Sequence, residues 1–286
     1  MIKVHVPATS ANCCVGFDCM GVALDWNSTF EFMHSEKLEI EGCPEEYRNE
    51  DNLVVAAFRK ACDALGKEMP PFRLKIDSSI PFSRGLGSSA TCIVAGLMGA
   101  NAWFDSPLTK EDVLVLATKM EGHPDNVAPA LFGGICVSMM QEEKVWCRSL
   151  HAGDWHGLVI IPDEEVATRE ARKVLPETIS FHEAKTQVAH AMLMEIALCR
   201  SDEDLLAACS RDYLHEPYRA KLISSYGRVR ELCEKNDLPL WISGSGSTMI
   251  VLSTDQKELL DLEKELSFLD TRMVKIARKG AEVLYE

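Results

Sequence analysis

A glycine- and serine-rich segment at residues 81–90, with the sequence PFSRGLGSSA, has the composition of a loop that binds phosphate. Its glycines allow backbone N–H groups to approach an anion closely, and its consecutive serines add hydroxyl groups. The segment leads into a predicted helix, whose N-terminus carries partial positive charge. We therefore predict an ATP phosphate site formed by Pro81, Ser83, Arg84, Gly85, Leu86, Gly87, Ser88, Ser89 and Ala90. A tight loop in which a serine only caps the helix fits the same residues.

Two other nucleotide-binding motifs compete for this segment. The letters GLGSSA match the dinucleotide pattern G-x-G-x-x-A, and Asp105 lies 20 residues after Gly85. That pattern requires a strand running into the first glycine and a second strand ending at the acid. Here polar residues precede the glycine, and one uncharged helix fills the interval, so the context argues against a dehydrogenase. A Walker loop is excluded because Gly-Lys-Ser and Gly-Lys-Thr do not occur in the chain.

Polar residues in four other segments have the chemistry of a small-molecule site. Asn12 and Asp18 follow the first predicted strand, HPDN spans residues 123–126, and Arg172 and Arg219 lie in TREAR and EPYR. A guanidinium group suits a bidentate contact with a carboxylate. Each residue also has a structural alternative: the amide and carboxylate satisfy turn backbone, the histidine satisfies helix-end carbonyls, and the arginines are solvated.

Hydrophobic periodicity places these segments at the ends of secondary-structure elements. Residues 2–6 alternate as a strand that we predict to stop at Pro7. A helix at 53–65 precedes a strand at 72–76, and the helix after the glycine loop is apolar on nearly all sides. Thr109 is predicted to cap a further helix that ends at Gly122, with HPDN forming a turn directly beyond it.

The second half of the chain begins with the apolar strand GLVIIP at residues 157–162. Helices are predicted near 181–200 and 218–236, and two late strands flank the turn SGSGS at 243–247. The pattern is polar and irregular just before the apolar strand, so we predict two domains, residues 1–153 and 154–286.

Composition and charge restrict the class of partner and the compartment. The formal net charge of -14 argues against nucleic acid or an anionic membrane as the main partner. The eleven cysteines include no C-x-x-C pair, which indicates free thiols in a reducing compartment rather than a disulfide or zinc site. The N-terminus lacks an apolar signal core, and the longest uncharged run is too short to cross a bilayer. We expect a cytoplasmic protein.

Five segments together resemble one family of kinases. PATSANCCVGFDCMG at 7–21, PFSRGLGSSA and WISGSGST at 241–248 resemble the three motifs of the GHMP kinases. That superfamily comprises galactokinase, homoserine kinase, mevalonate kinase and phosphomevalonate kinase. The first motif, EGHPDNVAPALFGG at 121–134 and HEPYR at 215–219 resemble the homoserine kinase branch in particular. One departure is that Cys13, Cys14 and Val15 precede Gly16 where the family usually has Leu-Gly-Pro-Gly.

The resemblance implies both a fold and a reaction. The fold is α+β, of a two-domain α/β sandwich type, with an N-terminal nucleotide-loop domain, a C-terminal ferredoxin-like domain and the active site between them. The reaction is transfer of the ATP γ-phosphate to the side-chain hydroxyl of L-homoserine, a step toward threonine. Another GHMP kinase, such as one for mevalonate, and a non-catalytic sensor with this fold are the alternatives. A homodimer is compatible with the resemblance.

The resemblance also implies roles for particular residues. Asn12 and Asp18 match positions near the amino and hydroxyl end of the substrate, and Arg172 and Arg219 match positions that hold its carboxylate. His123 matches a substrate contact, and Asn126 stands where several relatives carry a catalytic aspartate. We therefore expect Asp18, His123 and Asn126 to form the catalytic group.

Two further expectations concern the nucleotide. Mg²⁺ prefers oxygen ligands, so a serine hydroxyl, a carboxylate and the phosphates would suffice, and Ser88 and Glu121 are the candidates. Asn52 is expected near the nucleotide base by resemblance alone.

The SGSGS turn is expected to pack against the substrate site, although a plain hairpin turn has the same composition.

Overall fold

The computed structural model describes residues 1–285 and contains two β-sheets with helices packed on them. The strands are β1 (Ile2–Ala11), β2 (Met20–His34), β3 (Glu39–Glu41), β4 (Phe72–Asp77), β5 (Ile135–Gln141), β6 (Lys144–Leu150), β7 (His156–Ile161), β8 (Leu240–Ile242), β9 (Met249–Ser253), β10 (Asp270–Lys275) and β11 (Glu282–Tyr285). The helices are α1 (Leu53–Leu65), α2 (Ser88–Trp103), α3 (Lys110–Glu121), α4 (Pro124–Phe132), α5 (Thr168–Lys173), α6 (Phe181–Arg200), α7 (Glu203–Cys209), α8 (Glu216–Arg219), α9 (Tyr226–Lys235) and α10 (Gln256–Glu265).

The two sheets divide the strands almost in chain order. The seven-stranded sheet has the order β11-β1-β2-β4-β3, with β5 paired to β2 and β6 to β5. The four-stranded sheet has the order β10-β7-β9-β8 and is antiparallel throughout. This architecture confirms the α+β class. The division of the chain at residue 153 stays a prediction, and β11 returns to the first sheet after the second is complete.

Three hydrophobic cores hold the sheets and helices together. The first lies among α1 to α4 and one face of the larger sheet, and includes Phe32, Phe58 and Phe72. The second lies between the two sheets, because it joins side chains of β2 to those of β7, β9 and α6. The third packs α9 and α10 on the other face of the smaller sheet. Within residues 1–285, no helix combines the length and apolarity that a membrane crossing requires.

Several predicted elements are confirmed at their predicted ends. Helix α1 ends at Gly66, whose backbone is left-handed, and α2 is buried on nearly all sides. Helix α3 begins at a reciprocal capping box between Thr109 and Asp112 and ends at Gly122. Such caps satisfy backbone groups within a few residues of one another, which is why local sequence predicts them.

Two predicted boundaries are wrong. Strand β1 does not stop at Pro7 but continues to Ala11, because the pairing register with β2 shifts between Pro7 and Ala8 and such an irregularity tolerates proline. The predicted helix at 218–236 is broken, since Ile223 is extended and buried in the third core. The backbone N–H and hydroxyl of Ser224 donate to Glu164 Oε1, at 2.7 and 2.8 Å, and hold this break.

Candidate functional site

The predicted phosphate loop precedes α2 and is shaped by glycines at two positions. Gly85 and Gly87 have left-handed backbones, with φ of 76° and 66°. A Cβ at Gly85 would lie 2.1 Å from the carbonyl oxygen of Ser243, and one at Gly87 would lie 1.9 Å from Thr9 Oγ1. Both positions therefore exclude side chains, through backbone conformation and through close approach.

The N-terminus of α2 has no side-chain cap. Ser88 is the first helical residue, and the cap position is Gly87, which has no side chain to donate or accept. The alternative in which a serine merely caps this helix is therefore wrong. Backbone N–H groups in the first turn lack helical partners, so this terminus suits an anion.

A cavity of about 350 Å³ extends from this loop to the charged residues of the other predicted segments. The residues from Ser83 to Ser89 line it, as do Asn12, Asp18, Asn52, Glu121, His123, Asn126, Arg172 and Arg219. Two predicted phosphate residues do not line it among residues 1–285: Ala90 is buried in the first core, and Pro81 lies outside the lining. The structure thus brings nearly all of the predicted site residues to one place.

Arg84 lines the cavity, and protein groups bind its guanidinium group. Its Nε and Nη2 donate to the carbonyl oxygens of Pro162 and Asp163, at 3.2 and 2.5 Å, and Nη1 is paired with Glu165 at 3.2 Å. The side chain therefore ties the phosphate loop to the segment after β7. Arg84 is thus engaged by protein groups in the structure, and its role at the ATP site stays a prediction.

The SGSGS turn packs directly on the phosphate loop. Ser243 Oγ donates to the carbonyl oxygen of Gly85 at 2.6 Å, and the N–H of Thr248 donates to the carbonyl oxygen of Arg84 at 3.1 Å. The carbonyl oxygen of Gly244 accepts from Asn12 Nδ2 at 3.0 Å. This turn joins the phosphate loop to the loop that follows β1.

The loop at residues 12–18 has an unusual backbone. Asn12, Cys13, Cys14 and Asp18 all have positive φ, between 42° and 71°, which non-glycine residues rarely adopt. Cys14 stands at the place of the usual family glycine, so its left-handed conformation explains the family preference. The buried Asn12 Oδ1 accepts from the N–H of Asp18 at 3.0 Å, so the amide organises this turn.

Residues near α8 hold this loop in place, and the sequence analysis assigned them no role. The ring of the fully buried His215 donates through Nε2 to the carbonyl oxygen of Cys14 at 2.7 Å. Glu216 accepts from the N–H of Ile242 at 2.5 Å through Oε1 and from the Cys14 thiol at 3.7 Å through Oε2. On α6, Gln187 Nε2 donates to the carbonyl oxygen of Val15 at 2.7 Å. His215 and Glu216 belong to the segment HEPYR, but no local pattern indicates this role, because the partners lie far away in the chain.

His215, Glu216 and Gln187 together form a clamp on the loop at residues 12–18. Burial shifts the pKa values of its two titratable residues. It raises the pKa of the Glu216 carboxyl to about 8, with Asp212 adding to the shift, and it lowers the pKa of His215. Both side chains are therefore mainly uncharged at neutral pH. A neutral His215 leaves Nδ1 as an acceptor, and Arg219 Nη1 lies 3.4 Å from it.

Asp18 and Arg172 form a bidentate ion pair at the mouth of the cavity. Arg172 Nη1 and Nη2 donate to Asp18 Oδ2 and Oδ1, at 3.0 and 2.8 Å. The two side chains are 36% and 39% exposed, so a ligand can reach both charges. The hydrogen bonds from Arg172 to Asp18 raise the pKa of the guanidinium group further.

Arg219 is a buried cation beside this pair. Its Nη1 and Nε donate to the carbonyl oxygens of Gly244 and Ala171, at 2.8 and 3.3 Å, and Phe17 lies 5.1 Å from the guanidinium carbon. Burial and the neighbouring Arg172 lower the pKa of Arg219 to about 10. Within residues 1–285, Nη2 has no hydrogen-bond partner, although Arg219 lines the cavity. One donor of a desolvated guanidinium group is thus available to a ligand.

HPDN is the start of a helix and not a turn. His123 is extended and precedes α4, and Pro124 occupies the first helical position, where proline is favoured. The His123 ring is hydrogen-bonded through Nδ1 to the buried Asp125. Burial lowers the pKa of His123, but the hydrogen bond and charge of Asp125 outweigh burial, and the net effect is a raised pKa.

Asn126 projects toward the phosphate loop from the first turn of α4. Its Oδ1 accepts from Thr9 Oγ1 at 2.7 Å and lies near the space that a Cβ at Gly87 would fill. Its Nδ2 has no hydrogen-bond partner in the part of the chain that the structure describes. The amide donors are therefore available beside the anion site.

Oxygen donors suited to Mg²⁺ lie on the same side of the cavity. Glu121 accepts from Ser89 Oγ at 2.7 Å, and burial raises the pKa of its carboxyl. Ser88 and Glu121 both line the cavity, and a hydroxyl with a carboxylate matches the preference of this ion. Ligand atoms of Asp18, His123 and Asp125 also lie within 4.8 Å of one another, but the structure satisfies these side chains by pairing them with Arg172 or with each other.

Asn52 and two aromatic residues form the far end of the cavity. Asn52 accepts from the N–H of Val54 at 3.0 Å and donates to the carbonyl oxygen of Tyr47 at 2.8 Å, so its amide caps α1. The exposed rings of Tyr47 and Phe82 line the cavity beside it. Flat apolar rings suit a purine base. Sequence analysis missed both, and Phe82 inside the glycine loop was the available indication.

Comparisons with known proteins identify the family of this chain. The model for the GHMP kinases N terminal domain matches residues 52–134, and the model for the GHMP kinases C terminal matches residues 194–268. A homoserine kinase from Clostridium botulinum (strain 657 / Type Ba4) is 40% identical, over 99% of this chain and 98% of its own. One from Carboxydothermus hydrogenoformans is 40% identical over 90% of this chain and 86% of its own.

Solved structures extend the likeness to three dimensions. The crystal structure of a homoserine kinase from Cytophaga hutchinsonii superimposes with a TM-score of 0.86 at 26% identity, covering 99% of this chain and 97% of the other. A mevalonate kinase structure has a TM-score of 0.71 at 16% identity over 97% and 99%, which is a likeness of fold. The chain is a kinase that belongs to the homoserine kinase family of GHMP kinases.

Proposed function

We propose that this chain transfers the γ-phosphate of ATP to the side-chain hydroxyl of L-homoserine, giving O-phospho-L-homoserine. One observation carries the proposal: a single cavity joins an uncapped helix N-terminus to an accessible carboxylate–guanidinium pair and a buried guanidinium group. The first suits phosphate, and the others suit an amino acid. The full-length likeness to proteins named homoserine kinase supports the same substrate.

The charges at the mouth complement an amino-acid zwitterion. In this proposal Asp18 receives the ammonium group, and Arg172 and Arg219 receive the carboxylate, which their charges support. In the free protein Asp18 and Arg172 pair with each other. Substrate binding would replace this one ion pair by two ion pairs with the substrate. Arg219 is already desolvated and directed by protein carbonyls, which favours a specific carboxylate contact. His123 and Asn12 border the space between these groups.

ATP occupies the other end of the cavity in this proposal. The α2 N-terminus and the residues from Gly85 to Ser89 bind its phosphates, and Tyr47 and Phe82 contact the base. Ser88 and Glu121 would hold Mg²⁺, which supplies charge neutralisation of the phosphates when bound.

Catalysis then rests on alignment and charge stabilisation. The homoserine hydroxyl oxygen bonds to the γ-phosphorus as the bond to the ADP oxygen breaks, and the hydroxyl proton passes to a phosphate oxygen or to water. Asn126 cannot accept a proton at neutral pH, but its side chain lines the cavity, and its amide donors suit the charge on the transferring phosphoryl group. A loose transition state permits this without a strong general base.

We expect Asn126→Asp to lower kcat by about tenfold, because it replaces amide donors with a carboxylate beside the phosphates. The substitution keeps the size of the side chain and an acceptor for Thr9. Steady-state kinetics at neutral pH, with the exposed Asn27→Asp as the matched control, measures the effect. A rise in kcat of about tenfold or more would show that a general base is what this site lacks.

A coupled assay of ADP release tests the substrate. Homoserine, mevalonate, galactose and threonine are offered separately with ATP and Mg²⁺. We expect kcat/KM for homoserine to exceed the others by about 100-fold or more, since mevalonate lacks the ammonium that Asp18 would receive. Absence of turnover with homoserine contradicts the proposal, and calorimetric binding without turnover of any substrate identifies the sensor alternative.

The proposal also assigns the reaction to a pathway and to a compartment. O-phospho-L-homoserine is a precursor on the route to threonine, and we propose that the enzyme serves that route in the cytoplasm. Free thiols at all eleven cysteines, within residues 1–285, are compatible with a reducing compartment.

A further inference from the structure

Phe17 is an aromatic residue whose ring packs on cationic and polar side chains. Within residues 1–285 it belongs to none of the three hydrophobic cores and does not line the cavity. The guanidinium carbons of Arg172 and Arg219 lie 5.7 and 5.1 Å from the centre of its ring. The ring of His215 stacks on it, with the two ring centres 5.2 Å apart. Hydrophobic burial in a core therefore does not explain where this ring lies.

His215 fixes the orientation of the Phe17 ring. The two ring planes are inclined by only 26°, and the imidazole is fully buried and donates to the carbonyl oxygen of Cys14 at 2.7 Å. Phe17 itself belongs to the loop at residues 12–18, which the clamp holds in place. The ring is thus fixed both through its own backbone and through the clamp, and it offers a rigid surface to the two guanidinium groups.

The two guanidinium groups carry like charges and come from separate elements, Arg172 from α5 and Arg219 from α8. Burial and the charge of Arg172 both lower the pKa of Arg219, so the two cations are close enough to repel. The face of an aromatic ring carries negative partial charge and attracts a cation within about 6 Å of its centre. A single ring within that distance of both cations offsets part of their repulsion and holds them on the same side of the site.

Substrate binding increases the need for this contact. In the proposed function Asp18 receives the ammonium group of the substrate, so Arg172 gives up the carboxylate that it holds in the free protein. The Phe17 ring is a contact of Arg172 that this exchange does not remove. Arg219 is likewise held by the ring and by the carbonyl oxygens of Gly244 and Ala171.

We propose that Phe17 is a positioning residue, whose ring holds the guanidinium groups of Arg172 and Arg219 in the arrangement that binds the carboxylate of the substrate. The inference rests on the proposed function and deepens it, because it assigns the geometry of the carboxylate subsite to a residue that does not itself line the cavity. The negative face of the ring, and not its bulk, is the property that this role requires.

Substitutions that separate the charge of the ring face from its bulk test the proposal. Phe17→Leu keeps an apolar side chain without an aromatic face, and it should raise the KM for homoserine by about tenfold while the KM for ATP changes by less than about threefold. Monofluoro-, difluoro- and trifluorophenylalanine at the same position keep the ring and progressively weaken its negative face. The KM for homoserine should therefore rise stepwise along this series.

Two controls accompany the series. Phe268→Leu removes an exposed ring that lies 3.7 Å from the guanidinium carbon of Arg228, and it should leave both KM values unchanged. Homoserine amide lacks the carboxylate charge, so its kcat/KM should be low in the wild type and should change by less than about threefold along the fluorine series. Thermal unfolding of every variant distinguishes a loss of fold from a change in the subsite.

The outcomes separate this inference from the proposed function. A wild type that does not turn over homoserine overturns the proposed function, and the substrate role of Phe17 with it. An active wild type whose KM for homoserine is the same along the fluorine series overturns the role of Phe17 alone, even where Phe17→Leu is impaired, because the ring then acts only through its bulk. Equal losses with homoserine and with its amide also overturn it, since the ring then does not act on the carboxylate.

Discussion

Arg219→Ala should raise the KM for homoserine by about 10²- to 10³-fold while the KM for ATP changes by less than about threefold. The guanidinium group is buried, is directed by two carbonyl oxygens and keeps one donor available to the cavity. Removing one partner of a desolvated charge pair costs about 2–5 kcal/mol, which is about 30- to 4,000-fold and includes this range. Arg172→Ala should have a smaller effect, because Arg172 is half-exposed and water replaces it.

Initial rates over a matrix of homoserine and ATP concentrations separate the two KM values. Arg228→Ala is the matched control, since it removes an exposed guanidinium group that stacks on Phe268 at 3.7 Å. Arg219 also bonds Gly244 in the turn that packs on the phosphate loop, so thermal unfolding must accompany the kinetics. An equal increase in both KM values would remove Arg219 from the homoserine subsite and assign it to the turn alone.

The features that sequence predicted best are those whose causes lie within a few residues. The capping box at Thr109 and the left-handed Gly66 both satisfy local backbone groups, and both were predicted at the correct positions. The class of fold followed from the family resemblance, which rests on short motifs of this kind. The glycine loop was found for the same local reason, because adjacent residues determine both its left-handed backbone and the helix N-terminus that follows.

Features that depend on distant segments could not be predicted in this way. Glu216 and Cys14 are 202 residues apart, yet their contact is part of the clamp on the first loop, and burial among such distant segments raises the pKa of Glu216. Arg84 has the composition of a phosphate ligand, but carbonyl oxygens of the segment after β7 bind its guanidinium group. The mutual pairing of Asp18 and Arg172 was likewise absent from the sequence reasoning, which assigned them separately to opposite ends of the substrate.

The clamp explains how this chain accommodates its departure from the family turn. Cys14 replaces the usual glycine and is left-handed, a conformation that costs a non-glycine residue on the order of 1 kcal/mol or more. Its thiol donates to Glu216 and its carbonyl oxygen accepts from His215. Contacts from α8 therefore fix the backbone conformation of the loop, and they offset the cost of the left-handed Cys14.

Glu216→Gln should make the free energy of unfolding less dependent on pH and should stabilise the protein in alkaline solution. Burial raises the pKa of Glu216 from its usual 4.5 to about 8, so the folded state binds a proton that the unfolded chain has already released. Between these two values the wild type therefore loses stability as pH rises, by up to about 1.4 kcal/mol per pH unit. Glutamine cannot ionise, and its amide keeps an acceptor for the N–H of Ile242.

Denaturant unfolding from pH 5 to pH 9 measures this difference. At pH 5 the two proteins should agree within about 1 kcal/mol, and at pH 9 the variant should be more stable by about 2–4 kcal/mol. Glu231→Gln, at an exposed carboxyl on the neighbouring helix α9, should follow the wild type at every pH. Subtracting the two curves removes the other titrating groups, including His215, whose lowered pKa acts in the opposite direction, because it makes stability rise with pH between the lowered pKa and the usual one. Parallel curves for Glu216→Gln and wild type would mean that Glu216 is ionised within the fold, and that the first loop is held by a charged rather than a neutral carboxyl.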